Sequence, residues 1–272
     1  MTDLVLHPMA RTGWMLCGLM LSAQLVLADS LPVVDETQAY LTEQFALEVD
    51  HRLEVPLADQ VQVISLLQQA LTEAQLAGLT AQAFLVVDRS PQVQAAFVVV
   101  LTPLKQWHWV GATAVSTGKT GTFQHFLTPR GVFAHSLDNP DYRSEGTYNK
   151  NHIRGYGVHG LRVFDFGWQF AQRGWGQGGT SQMRLQMHAT DPQTLEPRLG
   201  QVASEGCIRI PATLNRFLDH HGLLDADYEA AQVSGKKLWL FKSERQPIPW
   251  PGRYMVIIDS AAVERPLWSP AP

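Results

Sequence analysis

Two patterns of apolar spacing divide the chain. Between residues 35 and 78, apolar positions recur at helical intervals. Asp35 suits the cap of a helix reaching about Leu47. A second helix starts near Leu57 and carries Ile64, Leu67, Leu71 and Ala74 on one face, with Gly78 as a stop. From Ala83 the pattern turns to β. Residues 84–88 (FLVVD) predict a strand, 89–91 a turn, 93–101 a second strand and 107–115 a third. Residues 184–188 (RLQMH) predict another. Pro211 suits the first turn of a helix that runs to about His220 and stops near Gly222. Strands are expected at 238–241 and 254–258, split by the proline-rich 246–252. Residues 134–182 are rich in Gly, Asn, His, Tyr and Trp and show no clear period. They read as long loops of the kind that form lids or rims of sites. The expected organisation is a small helical N-terminal segment over 29–80, a mainly β domain with a few short helices over 82–260, and a loose tail over 261–272.

The first residues change this picture by adding an export signal. An apolar run at 13–28 follows Arg11 and ends in Val26-Leu27-Ala28, which fits the small-residue rule for signal-peptide cleavage. Residues 1–28 are therefore expected to leave, with no stable membrane span afterwards; retention of the run as an N-terminal anchor is the alternative. The formal net charge of −4 supplies no basic field for nucleic acid. Eight tryptophans are many for 272 residues and are expected mostly in the core, with a groove lining as the alternative.

Of two cysteines, Cys17 lies in the apolar run, so the mature chain keeps one thiol, Cys207. It stands in Ser204-Glu205-Gly206-Cys207-Ile208-Arg209, fifteen residues beyond His188. A thiol ionises at about pH 8.5, and its anion is strongly nucleophilic. An imidazole at His188 can take its proton and later protonate a leaving amine. Backbone N–H groups of Gly206 and Cys207 are candidates for holding an oxyanion, and Arg209 for meeting a carboxylate. The competing reading is a buried, inert Cys and a satisfied core His. His135, His152 and His159 raise a metal site, but they lack neighbouring ligands at fixed spacing.

The wording of this stretch resembles the active-site signature of the L,D-transpeptidases, the YkuD-domain family: a His, about fifteen residues, then Ser/Thr-x-Gly-Cys, an apolar residue and Arg or Asn. Residues 115–119 (VSTGK) and 128–133 (TPRGVF) resemble the family's upstream segments, in the right order. The chain departs from the pattern at Ala189, where Gly is usual, and at Glu205, where His, Lys, Arg or Asn is commoner. Glu205 is expected to face solvent, since a carboxylate pointing at Cys207 would raise its pKa. The resemblance implies an L,D-transpeptidase-like β-sandwich that uses no cofactor and acts on peptidoglycan stem peptides in the periplasm or cell envelope. Cys207 would be the nucleophile, His188 the base and acid, and the Ala189 carbonyl the group orienting His188. Gly206 and Cys207 would supply the oxyanion donors, and Ser204 and Arg209 the supporting or substrate contacts. The loops over 134–182 would cover the thioester and favour transfer to an amine. An L,D-carboxypeptidase or endopeptidase on the same fold, and a non-enzymatic wall-binding protein, are the rivals. A papain-like peptidase is disfavoured, because there the cysteine precedes the histidine.

Overall fold

A computed structural model of the chain describes residues 36–76 and 78–270. The apolar run at 13–28 and its cleavage site lie outside these residues. Strands β1 (Gln82–Asp88) and β2 (Ala95–Leu101) are buried along their whole length, as their unbroken apolar runs require. Their sheet is covered on both faces. It has the order β3-β2-β1-β10-β5, with β3 at Trp107–Ala114, β5 at Gly131–Ala134 and β10 at Tyr254–Ile258. Helix α2 (Leu57–Glu73) lies on one face, burying Val63, Leu67 and Leu71 against Phe84, Val86, Phe97 and Val99. Helix α1 (Glu36–Glu48) buries Leu41 and Phe45 in the core on the other side, where Phe45 meets Phe217 edge-on. The N-terminal helices are thus packed on the β domain. Ala74 is exposed, and α2 ends at Glu73, before Gly78, because Gln75 takes a positive φ of 58°.

The second sheet has the order β4-β7-β8-β9, from Phe126–Leu127, Arg162–Arg173, Thr180–Ala189 and Ile208–Ile210; β6 (Tyr142–Arg143) also pairs with β7. Phe164, Leu185, Met187 and Ile208 from this sheet share one core with Leu85, Val87, Val98 and Ile257 from the first. Helix α3 (Ala212–His220) closes that core through Leu214 and Phe217. Among the described residues no helix is long and apolar enough to cross a membrane. The protein is mostly β with short helices.

Several expectations fail for physical reasons. The stretch 134–182 is not a run of loops: it contains β7, the longest strand, together with β6 and the start of β8. Its period was hidden because β7 buries Arg162 and Asp165, and because the register shifts between Asp165 and Trp168. Residues 238–241 form no strand. Trp239 is 75% exposed, and the Leu240 carbonyl accepts from Arg143 at 2.5 Å instead of a ladder partner. Helix α4 (Ala226–Val233) precedes them and was not foreseen. The tail is tied down: Ser269 donates to the Gln92 and Val93 carbonyls, and Trp268 packs against Phe97. Trp107, Trp109, Trp250 and Trp268 do pack, partly buried, against the core, while Trp168 and Trp239 are exposed. His221, just past the end of α3, is buried and lies 3.1 Å from Glu48.

Between β5, β7, α3 and α4 lies a buried ionic cluster. The Arg162 side chain, fully enclosed, bonds Asp141 at 2.6 Å and Asp225 at 2.7 and 2.8 Å. Arg143 meets Asp219, and Arg245 meets Asp225 and Glu229. His135 sits between Asp141 at 2.9 Å and the Leu224 carbonyl at 2.8 Å. Both of its ring nitrogens face oxygen acceptors, so both must donate and the ring is an imidazolium. Burial alone would lower its pKa, but the attraction and hydrogen bond of Asp141 outweigh that and raise it. With His135 charged, the cluster's cations match its four carboxylates.

Candidate active site

The segments singled out in the sequence converge on one loop. Residues 115–119 run beside 203–209: Ser116 and Arg209 exchange backbone hydrogen bonds at 2.9 Å, and Thr117 accepts from the N–H groups of Ala203 and Ser204. The Lys119 N–H donates to the Ser204 carbonyl. The TPRGVF segment joins through Thr128. Its hydroxyl accepts from Gly118 N–H and donates to the Gly206 carbonyl, each at 2.8 Å. Two glycines make this possible. A Cβ on Gly118 would lie 2.0 Å from the Phe126 carbonyl oxygen. Gly206 has φ +134°, and its Cβ would strike Met183 at 2.8 Å.

This weave places Cys207 just before β9. Strand β9 runs parallel to β8, pairing Ile208 with Met187 and Arg209 with His188. Met187 and Ile208 enter the core, whereas His188 and Arg209 share the opposite face. The Cys207 sulfur lies along the edge of β8 where β9 has not yet begun, 3.7 Å from the Arg184 carbonyl. Burial raises the thiol's pKa. The Gln186 backbone and Arg209 oppose this, while Glu205 and Asp165 add to it. Glu205 itself is exposed.

His188 is buried, and its Nδ1 lies 2.7 Å from its neighbour's carbonyl, that of Ala189. A carbonyl can only accept, so Nδ1 carries the proton and Nε2 keeps its lone pair. Burial lowers the ring's pKa to about 4; the Ala189 bond resists this and Arg209 adds to it. The resting pair is therefore neutral imidazole and neutral thiol. No hydrogen bond joins them. Free enzymes commonly hold such pairs apart until substrate tightens the site.

Tyr156 is the contributor that the sequence reading missed. Its ring lies 4.6 Å from that of His188, and its hydroxyl donates to Gln186 at 3.3 Å. Gln186 donates in turn to Asp165 at 2.8 Å, and Asp165 also accepts from Arg184 Nε at 2.9 Å. The loop bearing Tyr156 is fastened by Asp191, whose carboxylate accepts from the Arg154 N–H at 3.0 Å and from Gln193 and Thr194. Burial pushes the Asp191 pKa up, but these donors prevail and hold it at about 2. The only signal in the sequence was Tyr156-Gly157, and it stood beside His159-Gly160, which resembles the family's His-Gly at the wrong spacing.

No protein-family model matches the chain, and no curated protein matches it. The site is therefore judged on its geometry.

That geometry brings together His188, Ala189, Cys207 and Arg209, and it revises two roles. The Gly206 N–H is taken by the Ser204 hydroxyl at 3.1 Å, so it is not a free oxyanion donor. Ser204 is buried and also donates to the Cys207 carbonyl at 2.5 Å; it shapes the loop and is not placed to touch substrate. Arg209 is half-buried and donates to the Ala203 carbonyl at 3.1 Å. His159 is exposed at a distance from this arrangement, with Nδ1 near the Glu145 carbonyl. Among the described residues no group of His, Cys, Asp and Glu is placed to hold a metal, and His135 belongs to the ionic cluster.

Proposed function

We propose that the chain is a cysteine acyltransferase of the L,D-transpeptidase type, with the corresponding β-sandwich fold, exported to the periplasm or cell envelope. One observation carries the reading. A half-buried thiol lies against β8, one residue before the Ile208–Met187 pair, and the next residue of β8 is a neutral histidine whose Nδ1–H is held by the Ala189 carbonyl. The loop around it joins the very segments that resemble the family. An inert core cysteine needs none of this.

The substrate class is a peptidoglycan stem peptide. His188 Nε2 takes the Cys207 proton as sulfur attacks the carbonyl of the third residue. Because the thiol's pKa is raised and the imidazole's is lowered, this proton moves during attack and is not transferred beforehand. The Cys207 N–H faces the oxyanion without help from Gly206. The C–N bond breaks, the imidazolium gives its proton to the leaving amine, and a thioester remains. An amine from a second stem attacks the thioester, loses a proton to His188, and the thiol is restored.

Hydrolysis is the second reading, favoured by one observation. Tyr156 lies against His188, but β7 and the start of β8 take part of the stretch expected to cover Cys207 into the sheet, so the cover is smaller than the sequence suggested and water is less fully excluded. The two readings separate on incubation with tetrapeptide muropeptides. Dimers linked between third residues, or exchange of the terminal D-amino acid, support transfer. Tripeptides alone, at high acceptor concentration, make the protein an L,D-carboxypeptidase.

A further inference from the structure

We propose that the open face of β7 and β8 beside Cys207 is a platform for a neutral glycan strand, with Trp168 and Phe170 stacking on its sugar rings. The proposal rests on the reading above, since a stem peptide hangs from such a strand.

Alternation along β8 puts Gln182, Arg184, Gln186 and His188 on one face, while Met183, Leu185 and Met187 enter the core. The register pairs Trp168 with Arg184 and Phe170 with Gln182. Directly paired residues share a face, so both rings stand on the His188 side. The Arg184 guanidinium, 5.8 Å from the Trp168 ring centre, agrees. Tyr156 covers the His188 end of this face, and the other end is bare: Trp168 is 62% exposed and Phe170 71%. Their Cα atoms, two residues apart on one strand, are separated by about 7 Å. The backbone carbonyl of the same Arg184 lies against the Cys207 sulfur. The rings on β7 and the thiol at the start of β9 therefore flank the same stretch of β8.

The polar groups beside Phe170 choose the occupant. The amides of Gln172 and Gln182 are exposed on this face. An apolar protein surface or a lipid tail would leave these donors and acceptors without partners, at a cost for each. A sugar chain offers C–H faces to the aromatic rings and hydroxyls to the amides. Arg184 is already balanced by Asp165, so the patch carries no free charge to select an anionic headgroup or an acidic peptide.

The test compares the full chain with Trp168→Ala/Phe170→Ala, whose side chains are exposed and outside the core. Calorimetry with peptide-free glycan strands and with a chito-oligosaccharide should give binding that weakens at least about tenfold in the variant. Acylation by a carbapenem should stay unchanged, while turnover on intact wall polymer falls and turnover on free tetrapeptide does not. Glycan affinity that is equal in the two proteins overturns the platform. So does absence of glycan binding in the wild type, whether or not the substitutions alter self-association. Glycan binding that is lost in the variant, in a protein that no carbapenem or tetrapeptide acylates, upholds the platform and removes the catalytic reading instead.

Discussion

Around His135 the fold places oxygen acceptors at both ring nitrogens; around His188 it places one, at Nδ1. Both rings are buried. The first is charged and its pKa is raised, because Asp141 more than compensates its burial. The second is neutral, with its pKa lowered to about 4, because no carboxylate accompanies it into the core. A structural histidine has its hydrogen-bonding capacity filled. A reactive one keeps a lone pair unspent and pointed at a reaction. The same contrast holds for the two buried polar regions as wholes. The cluster around Arg162 is closed and matched in charge, whereas the region of His188 and Cys207 brings no carboxylate to its histidine.

Substitutions should separate the two regions cleanly. His188→Ala removes the proposed base and should slow carbapenem acylation by a factor on the order of 10²–10⁴ in stopped-flow measurements, with little loss of stability. His159→Ala, on its exposed loop, should leave that rate nearly intact. The converse holds for Arg162→Ala. It takes from Asp141 and Asp225 the cation they share, leaves the buried cluster one positive charge short, and should cost about 3–5 kcal/mol in urea unfolding, with the acylation chemistry retained in whatever protein stays folded. A variant equally damaging to both readouts would erase the distinction.

Acidity sharpens the comparison, because the two histidines respond with opposite sign. His188 binds a proton more readily unfolded, near pH 6.5, than folded, near 4. Its contribution therefore makes stability fall as pH drops through that window. Acylation should hold its base in working form down to about pH 5 and fail as His188 protonates near 4. His135 has a raised folded pKa, so its contribution is fully present below about pH 6.5 and is lost as pH rises through the folded value. Unfolding curves for His135→Gln should lose stability relative to wild type chiefly below that point and converge with it at alkaline pH.

The smallest effect concerns Tyr156. Its ring steadies His188 and its hydroxyl meets Gln186 and Tyr142, so Tyr156→Phe should change the acylation rate by less than about threefold, as loss of neutral hydrogen bonds away from the reacting atoms does. Tyr156→Ala removes the ring as well and should cost more.

How much of this was legible beforehand followed from where polarity sits. Strands β1 and β2 announced themselves as unbroken apolar runs. Cys207 and His188 stood out as a lone mature thiol and a histidine at a familiar spacing, and Ala189 was placed by its adjacency alone. Strand β7 escaped because Arg162 and Asp165 look like surface residues, and only tertiary partners make them core ones. Which of the two roles open to Ser204 fits, and that the Gly206 N–H is already bonded, could not be read beforehand, because a spacing says which atoms are near and not which are already bonded. Tyr156 reaches His188 by way of a loop fastened at Asp191, a contact with no local signature.

The claim that Cys207 is the nucleophile is tested most directly by intact-protein mass after incubation with a carbapenem, an inactivator class for the family that the site resembles. Wild type should gain the mass of one drug molecule, and Cys207→Ala, folded to the same unfolding midpoint, should gain none. An adduct of equal mass on Cys207→Ala would contradict the account.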